Sequence, residues 1–137
     1  MAARLWLRIS ALVATLFALG HSLGSRKDWS PQGDNPVLQQ MREVHFNVMG
    51  VSRSYFDFYM AFGYSLSAFM FMQAILLWQL SGLAVTDAAR VRPMLAVITA
   101  AAVVTGAIAW LLLFPVPAYF SLVLIACLLV ALLKARS

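Results

Sequence analysis

The fold of this chain is decided by residues 34–80, which read DNPVLQQMREVHFNVMGVSRSYFDFYMAFGYSLSAFMFMQAILLWQL. The stretch begins as an amphipathic segment, passes Gly50, and continues into a long apolar helix. It also holds nearly all of the chain's reactive side chains. We therefore expect the chemistry of the protein to be organised around it.

The composition is that of an integral membrane protein. Of the 137 residues, 63% are hydrophobic and 11% are charged, and the mean hydropathy is +0.85. Soluble domains are about half apolar and about a quarter charged, so this chain is expected to be solvated by lipid. The net charge of +5 does not indicate nucleic-acid binding, because the basic residues lie at the ends of apolar segments.

Four apolar segments are each long enough to cross a bilayer. The first has a basic start, as a cleavable signal peptide would, but the three further apolar runs favour a retained span. The third and fourth are joined by a connection that allows only a tight hairpin, so they are expected to be antiparallel neighbours. The predicted fold is a single-domain, all-α, integral membrane four-helix bundle. Its spans are residues 5–24, 54–80, 93–114 and 117–133.

Between the first two spans, residues 25–53 are predicted to form an external loop and an amphipathic interfacial helix. The stretch SRKDWSPQGDNP is rich in turn formers, and Asp34 or Asn35 can cap a helix that begins at Pro36. Apolar side chains at helical spacing then predict a helix from residue 36 to about residue 49, too short to span the membrane. These side chains are Val37, Met41, Val44 and Val48.

The placement of charge predicts the orientation. One group of basic residues, Arg4, Arg8, Arg90, Arg92, Lys134 and Arg136, is opposed only by Asp87. In the region between the first two spans, Arg26, Lys27, Arg42 and Arg53 are balanced by Asp28, Asp34, Glu43 and Asp57. Because cytoplasmic loops carry the excess of lysine and arginine, we expect a multi-pass protein of the bacterial inner membrane with both termini in the cytoplasm.

Candidate functional residues are expected to converge near the outer ends of the first two spans. A histidine near a carboxylate at the edge of an apolar pocket suits proton transfer, while tyrosine can stabilise an oxyanion and arginine can bind an anionic group. The pattern predicts acid–base chemistry on an apolar, lipid-like molecule, by isomerisation, epoxide opening or cyclisation. The catalytic candidates are His21, His45, Asp57, Glu43 and Tyr59; the substrate-binding candidates are Arg42, Arg53, Tyr55, Asn47 and Phe62.

Each candidate also has a structural interpretation. Asp57 follows Ser54 by three residues, which is a capping-box pattern at a helix start. Arg53 and Asp57 are spaced for a helix-surface ion pair. His45 can extend its imidazole into the headgroups, and His21 can bond a loop carbonyl. These alternatives stay open from the sequence.

No cofactor is predicted. HEXXH, CXXC, G-X-S-X-G and P-loop motifs are absent, and the single cysteine, Cys127, lies in the last apolar run, where a thiol is commonly an apolar filler. A haem between His21 and His45, or a metal held by both with a carboxylate, is a minor alternative.

The main rival to an enzyme or binding protein is a non-catalytic structural or interaction subunit of a membrane assembly. A small oligomeric transporter is a further alternative, since the spans carry too few polar residues for a monomer to form a path. Small residues four apart allow close helix approach within the bundle, and leave a homo-oligomer open. The expected partners are the lipid bilayer and an apolar small molecule, with no nucleic acid.

Two sequence segments support a resemblance to known proteins. HSLG closes the first span and RSYFDFYMAFGYSLS opens the second, and this layout resembles small uncharacterised four-span bacterial membrane proteins. In size and span number the chain is also similar to the emopamil-binding and sterol-isomerase class, which binds sterols between membrane helices. The acidic and histidine motif of that class has no residue-by-residue counterpart here, so the resemblance implies a layout and a class of ligand by analogy.

Overall fold

The computed structural model describes residues 2–135, and over these residues the chain is 83% helical with five helices. Four of the helices are long and apolar enough to cross a membrane, which confirms the predicted all-α, multi-pass class. Arg136, counted above among the cytoplasmic charges, lies outside the described residues. The helices are α1 (Ala2–Leu23), α2 (Pro36–Glu43), α3 (Tyr55–Thr86), α4 (Ala88–Leu112) and α5 (Pro115–Lys134), and the strands are β1 (His45–Val48) and β2 (Val51–Ser54).

The lengths of the long helices differ. With 20 residues, α5 is about 30 Å long and matches the hydrocarbon thickness of a bilayer. With 32 residues, α3 is about 48 Å long. Because α3 exceeds that thickness, it must tilt or extend into the interface.

The predicted helix from residue 36 to about 49 is correct only in its first half. Asn35 caps α2, accepting from the backbone N–H groups of Val37 and Leu38 at 3.1 Å each, but the helix ends at Glu43. The next residues form an antiparallel hairpin whose turn is Met49–Gly50, with φ of 51° and 84°. Two residues at positive φ make the turn that matches strand twist, so the chain reverses instead of continuing as a helix.

The connection between the second and third spans is also shorter than predicted. The predicted spans 54–80 and 93–114 leave residues 81–92 as the connection, whereas the structure leaves only Asp87 outside α3 and α4. The Asp87 carboxylate accepts from the Arg90 N–H at 3.1 Å and caps α4. Pro93, at which the sequence predicts the third span to begin, lies in the second turn of α4. The sequence predicts a loop at residues 81–92 because it contains polar side chains, and in the structure Asp87 caps α4 and Arg90 lies in its first turn.

The described chain divides into two compact units. The helical unit comprises residues 2–17 and 70–135. Its core contains one fully buried leucine from each long helix, namely Leu7, Leu77, Leu95 and Leu128. Within it α4 and α5 pack against each other, and Gly106 permits a close approach, because a Cβ added there would lie 3.1 Å from Ser121 Cβ. This pair is the predicted hairpin of neighbouring spans.

The mixed unit comprises residues 18–69. It contains the end of α1, the loop that follows, α2, the hairpin and the first part of α3. The hairpin pairs His45 with Ser54 and Val48 with Val51. On this unit lie all ten residues that the sequence proposed for catalysis or binding.

Candidate functional site

Trp29 is the centre of the polar contacts in the mixed unit. Its indole N–H donates to the His21 carbonyl oxygen at 2.8 Å, and its own carbonyl oxygen accepts from the Tyr59 hydroxyl at 3.1 Å. The ring centroid lies 5.3 Å from that of His21 and 5.2 Å from that of Tyr64, the latter edge-to-face. Trp29 therefore joins the end of α1 to the first turns of α3.

The backbone and two glycines allow the Trp29 ring to take this position. The 3₁₀ turn after α1 ends with Asp28 and Trp29 at φ of 50° and 49°, which turns the chain back. A Cβ added at Gly24 would lie 2.6 Å from Trp29 Cδ1, and one added at Gly63 would lie 2.6 Å from Cε3. Both glycines therefore admit an indole ring here, whereas the sequence suggested that they admit a neighbouring helix.

His21 is half-buried and bonded within the same cluster. Its Nδ1 lies 3.0 Å from Ser67 Oγ, and the Ser67 hydroxyl also lies 3.2 Å from the Gly63 carbonyl oxygen. A hydroxyl has one hydrogen, so when Ser67 donates to Gly63 the imidazole Nδ1 must donate to Ser67. His21 thus contacts a serine of α3 instead of the loop carbonyl that the sequence suggested.

Arg42 is held by the mixed unit's own acids. It pairs with Asp28 and, at 3.0 Å, with Asp34. Its guanidinium carbon lies 4.6 Å from the centroid of the Phe56 ring. This guanidinium already uses its hydrogen-bond donors and its flat face on residues of the protein. It therefore has few donors left for an anionic substrate.

Asp57 and Ser54 form the capping box that their spacing predicts. The Ser54 N–H donates to the Asp57 carboxylate at 2.8 Å, and the Asp57 N–H donates to Ser54 Oγ at 3.1 Å. Arg53 instead donates to the Ser52 carbonyl oxygen at 3.0 Å, and the ion pairs found within residues 2–135 do not include Arg53 with Asp57. The structural interpretation of Asp57 is confirmed by these bonds.

The other sequence candidates lie on exposed surface. The ring nitrogen Nδ1 of His45 is 2.9 Å from the Glu43 carbonyl oxygen. Tyr55 is exposed, with its ring 4.9 Å from that of Phe46. Those with mostly exposed side chains are His45, Glu43, Asn47, Arg53, Tyr55 and Phe62.

The structure therefore brings together only part of the predicted set. His21 and Tyr59 meet through Trp29, while the hydrogen bonds and ion pairs of residues 2–135 do not join His21 to His45 or Asp57. An open hollow of about 480 Å³ lies over the loop at residues 26–34, and none of the ten candidates lines it. Catalytic roles for these residues stay predictions.

The described residues also contain no group of three or more His, Cys, Asp or Glu side chains placed to hold a metal ion. The thiol of Cys127 is buried in α5. Neither observation adds a cofactor-binding site to the polar cluster around Trp29.

Sequence reasoning missed an apolar groove in the helical unit. The groove has a volume of about 280 Å³. Its floor is made of alanines, with Ala11 3% exposed and Ala74 4% exposed. The Thr15 hydroxyl in its wall donates to the Ala11 carbonyl oxygen at 2.8 Å, so it presents no free donor. The full lining is Ala11, Leu12, Thr15, Phe71, Ala74, Ile75 and Trp78.

The spacing of the lining residues could have indicated the groove. On α1 they recur at intervals of one and three residues, and on α3 at intervals of three, one and three, so each set lies on one helical face. Small residues on facing helices with large residues beside them make a furrow. What the spacing does not reveal is which two helices face each other.

Comparisons with known proteins found no relative of this chain. The chain matches no protein-family model, and neither the comparison with curated proteins nor that with solved structures found a match. The resemblance to four-span bacterial proteins and to the emopamil-binding class therefore stays an expectation from the sequence.

Proposed function

We propose that the protein is a membrane protein that binds one lipid-like molecule, holding a hydrocarbon chain in the groove between α1 and α3. The single observation that carries this proposal is the groove in the helical unit, with its alanine floor and its large apolar walls. This is the class of ligand that the sequence suggested, placed at a different part of the chain.

The chemistry of the lining supports a hydrocarbon ligand. The only hydroxyl in the lining is already bonded to the backbone of its own helix. An open groove lined by apolar side chains without free polar groups is covered more favourably by a hydrocarbon chain than by water. Its volume of about 280 Å³ is slightly below the usual range for drug-sized ligands, which suits a single chain better than a fused ring system.

Binding is better supported than acid–base catalysis. His21, Tyr59 and Asp57 each make hydrogen bonds that hold the fold. None of them lines the groove. An isomerase, epoxide hydrolase or cyclase would require the reacting bond to reach one of these groups.

We place the protein in the bacterial inner membrane with both termini in the cytoplasm. The described part of the helical unit carries five basic residues against one acid, and this excess favours the cytoplasmic side. The residues are Arg4, Arg8, Arg90, Arg92 and Lys134, against Asp87. Accessibility of Met49→Cys to an impermeant maleimide in intact spheroplasts, in a Cys127→Ala background, tests this orientation.

The binding proposal is tested by photolabelling the purified protein. The protein is reconstituted with a phospholipid that carries a diazirine in one acyl chain, washed into detergent, irradiated and mapped by mass spectrometry. We expect labelling at Leu12, Ile75 and Trp78 to exceed that at Val97 and Leu111, which are 71% and 77% exposed on α4. Uniform labelling would contradict a groove ligand and favour the interaction subunit.

A variant pair gives the matched control. Thr15→Trp fills one end of the groove from its wall, and we expect it to abolish the excess labelling. Val104→Trp adds the same side chain at a position that is 59% exposed on α4, and should leave the labelling unchanged. Equal loss in both variants would attribute the effect to the added indole and not to the groove.

A further inference from the structure

Arg8 lies beside the groove and has an unmet hydrogen-bonding requirement. It precedes Ala11 and Leu12 of the lining by one helical turn, and its guanidinium carbon lies 4.9 Å from the centroid of the Trp78 ring. Its Nε is buried and has no hydrogen-bond partner among the described residues. A buried donor left without a partner is costly, and an arginine within a membrane-spanning helix is a candidate functional residue.

Over residues 2–17 and 70–135, the helical unit does not supply an anion for Arg8. Asp87 is the only acidic residue in this part of the chain, and its carboxylate is paired with Arg90 at 3.2 Å. Arg4, one turn before Arg8, adds a second positive charge on the same helix. The end of the groove near Arg8 is therefore positively charged, with no carboxylate of its own to neutralise it.

The groove has a charged end and an apolar length. Along α1 the sequence of positions is Arg8, then Leu12, then Thr15, while along α3 it runs from Trp78 back to Phe71. Seven residues of helix correspond to about 10 Å. An amphiphile with its anionic head at Arg8 and its hydrocarbon chain along the groove would neutralise the charge and cover the apolar lining.

We propose that the ligand is an anionic phospholipid, with its phosphate bound by Arg8 and one acyl chain in the groove. The inference rests on the proposed function, since it identifies the class of lipid that the groove holds. The terminal Nη groups of the guanidinium present paired donors that match phosphate oxygens, while the Trp78 ring orients the guanidinium from one side. A free phosphate ion would leave the apolar lining uncovered, so the lipid is the occupant.

The test compares two lipids with the same acyl chains in nanodiscs. Phosphatidylglycerol carries a net negative charge and phosphatidylcholine does not. Native mass spectrometry counts the lipid molecules that stay bound to the full-length protein. We expect phosphatidylglycerol to be retained about tenfold over phosphatidylcholine. Both lipids carry the phosphate that Arg8 binds, but the choline cation cancels the charge of phosphatidylcholine and is repelled by Arg4 and Arg8. A retention ratio near one in the wild-type protein would overturn the proposal without any variant.

Variants then assign the preference to Arg8. Arg8→Gln should lower the retention ratio to about one, and Arg8→Lys should give an intermediate ratio because a point charge lacks the guanidinium fork. Arg92→Gln removes one exposed positive charge from α4 and should keep the wild-type ratio. An Arg8→Gln ratio equal to wild type, or the same loss in Arg92→Gln, would refute the role of Arg8.

The outcomes separate this inference from the proposed function. If photolabelling stays concentrated in the groove while the retention ratio is near one, the groove binds a lipid without regard to charge and only the inference fails. If photolabelling is uniform, the proposed function fails as well. Far-UV circular dichroism of each variant checks that it is folded.

Discussion

In the mixed unit the polar side chains near the helix ends bond to one another, whereas in the helical unit one guanidinium lies beside an apolar furrow with its Nε unpaired. Arg42 has two carboxylates and an aromatic ring, while the one such contact of Arg8 among the described residues is with the Trp78 ring. The residue types are the same in both regions. Their partners differ, so side chains of the same type stabilise the fold in the mixed unit and stay available for the proposed ligand in the helical unit.

The comparison is tested most strongly by removing the ring at the centre of the mixed unit. Trp29→Ala deletes one hydrogen bond and the contacts with His21 and Tyr64. We expect the free energy of unfolding to fall by about 3 kcal/mol, at the low end for a tryptophan truncation because the ring is only half-buried. Unfolding in mixed micelles, followed by far-UV circular dichroism, measures it.

Two matched changes sharpen this result. Trp110→Ala removes a ring that is 65% exposed, and should change the free energy of unfolding by less than about 1 kcal/mol. Gly63→Ala should also destabilise, since its Cβ would meet the Trp29 ring, whereas Gly82→Ala meets no atom within 4 Å and should stabilise by about 0.5 kcal/mol. Equal effects at both glycines would show that the indole does not occupy this position.

Truncation of the two histidines is expected to change the free energy of unfolding by different, smaller amounts. His21→Ala loses the bond to Ser67 and the Trp29 contact, so we expect a loss of about 1 kcal/mol in the free energy of unfolding. His45→Ala removes an exposed side chain and should stay within about 0.5 kcal/mol of wild type. Neither change should alter lipid retention in nanodiscs; a loss of bound lipid in either would support a role at the ligand and restore the catalytic hypothesis.

The smallest expected effect tests the hairpin. Met49 lies at φ 51°, a conformation that asparagine adopts more readily, and Asn-Gly is the preferred pair for this turn. Met49→Asn should therefore raise the free energy of unfolding by about 0.5 kcal/mol. The same change in the middle of a helix would lower it, so the sign of the shift distinguishes the hairpin from the helix that the sequence predicted.

Local patterns were predicted well because their causes are local. In lipid every backbone polar group must be bonded within its own segment, so apolar length alone identifies the four spans. The cap at Asn35 and the capping box of Ser54 with Asp57 depend on side chains within three residues of each other. Both were therefore visible without the fold.

The sequence predicts a helix where the structure has the hairpin, because residues 44–48 fit both the helical and the strand periodicity. Val44 and Val48 are four residues apart, as a helix requires, yet they also alternate with polar residues around Phe46. The structure decides in favour of strands, with Phe46 packed near the rings of Tyr55 and Phe58 at 4.9 and 5.5 Å. The spacing of residues within one segment does not predict this contact of Phe46 with α3.

The sequence by itself determined that this protein is helical and has four segments that are each long and apolar enough to cross a bilayer, because these properties follow from composition and length. Only the tertiary structure decided which polar groups are already bonded. Trp29 meets Tyr59 across 30 residues, and Arg8 meets Trp78 across 70. Such distant pairs depend on how helices pack, and packing gives Arg42 two carboxylate partners and sets Arg8 against the Trp78 ring.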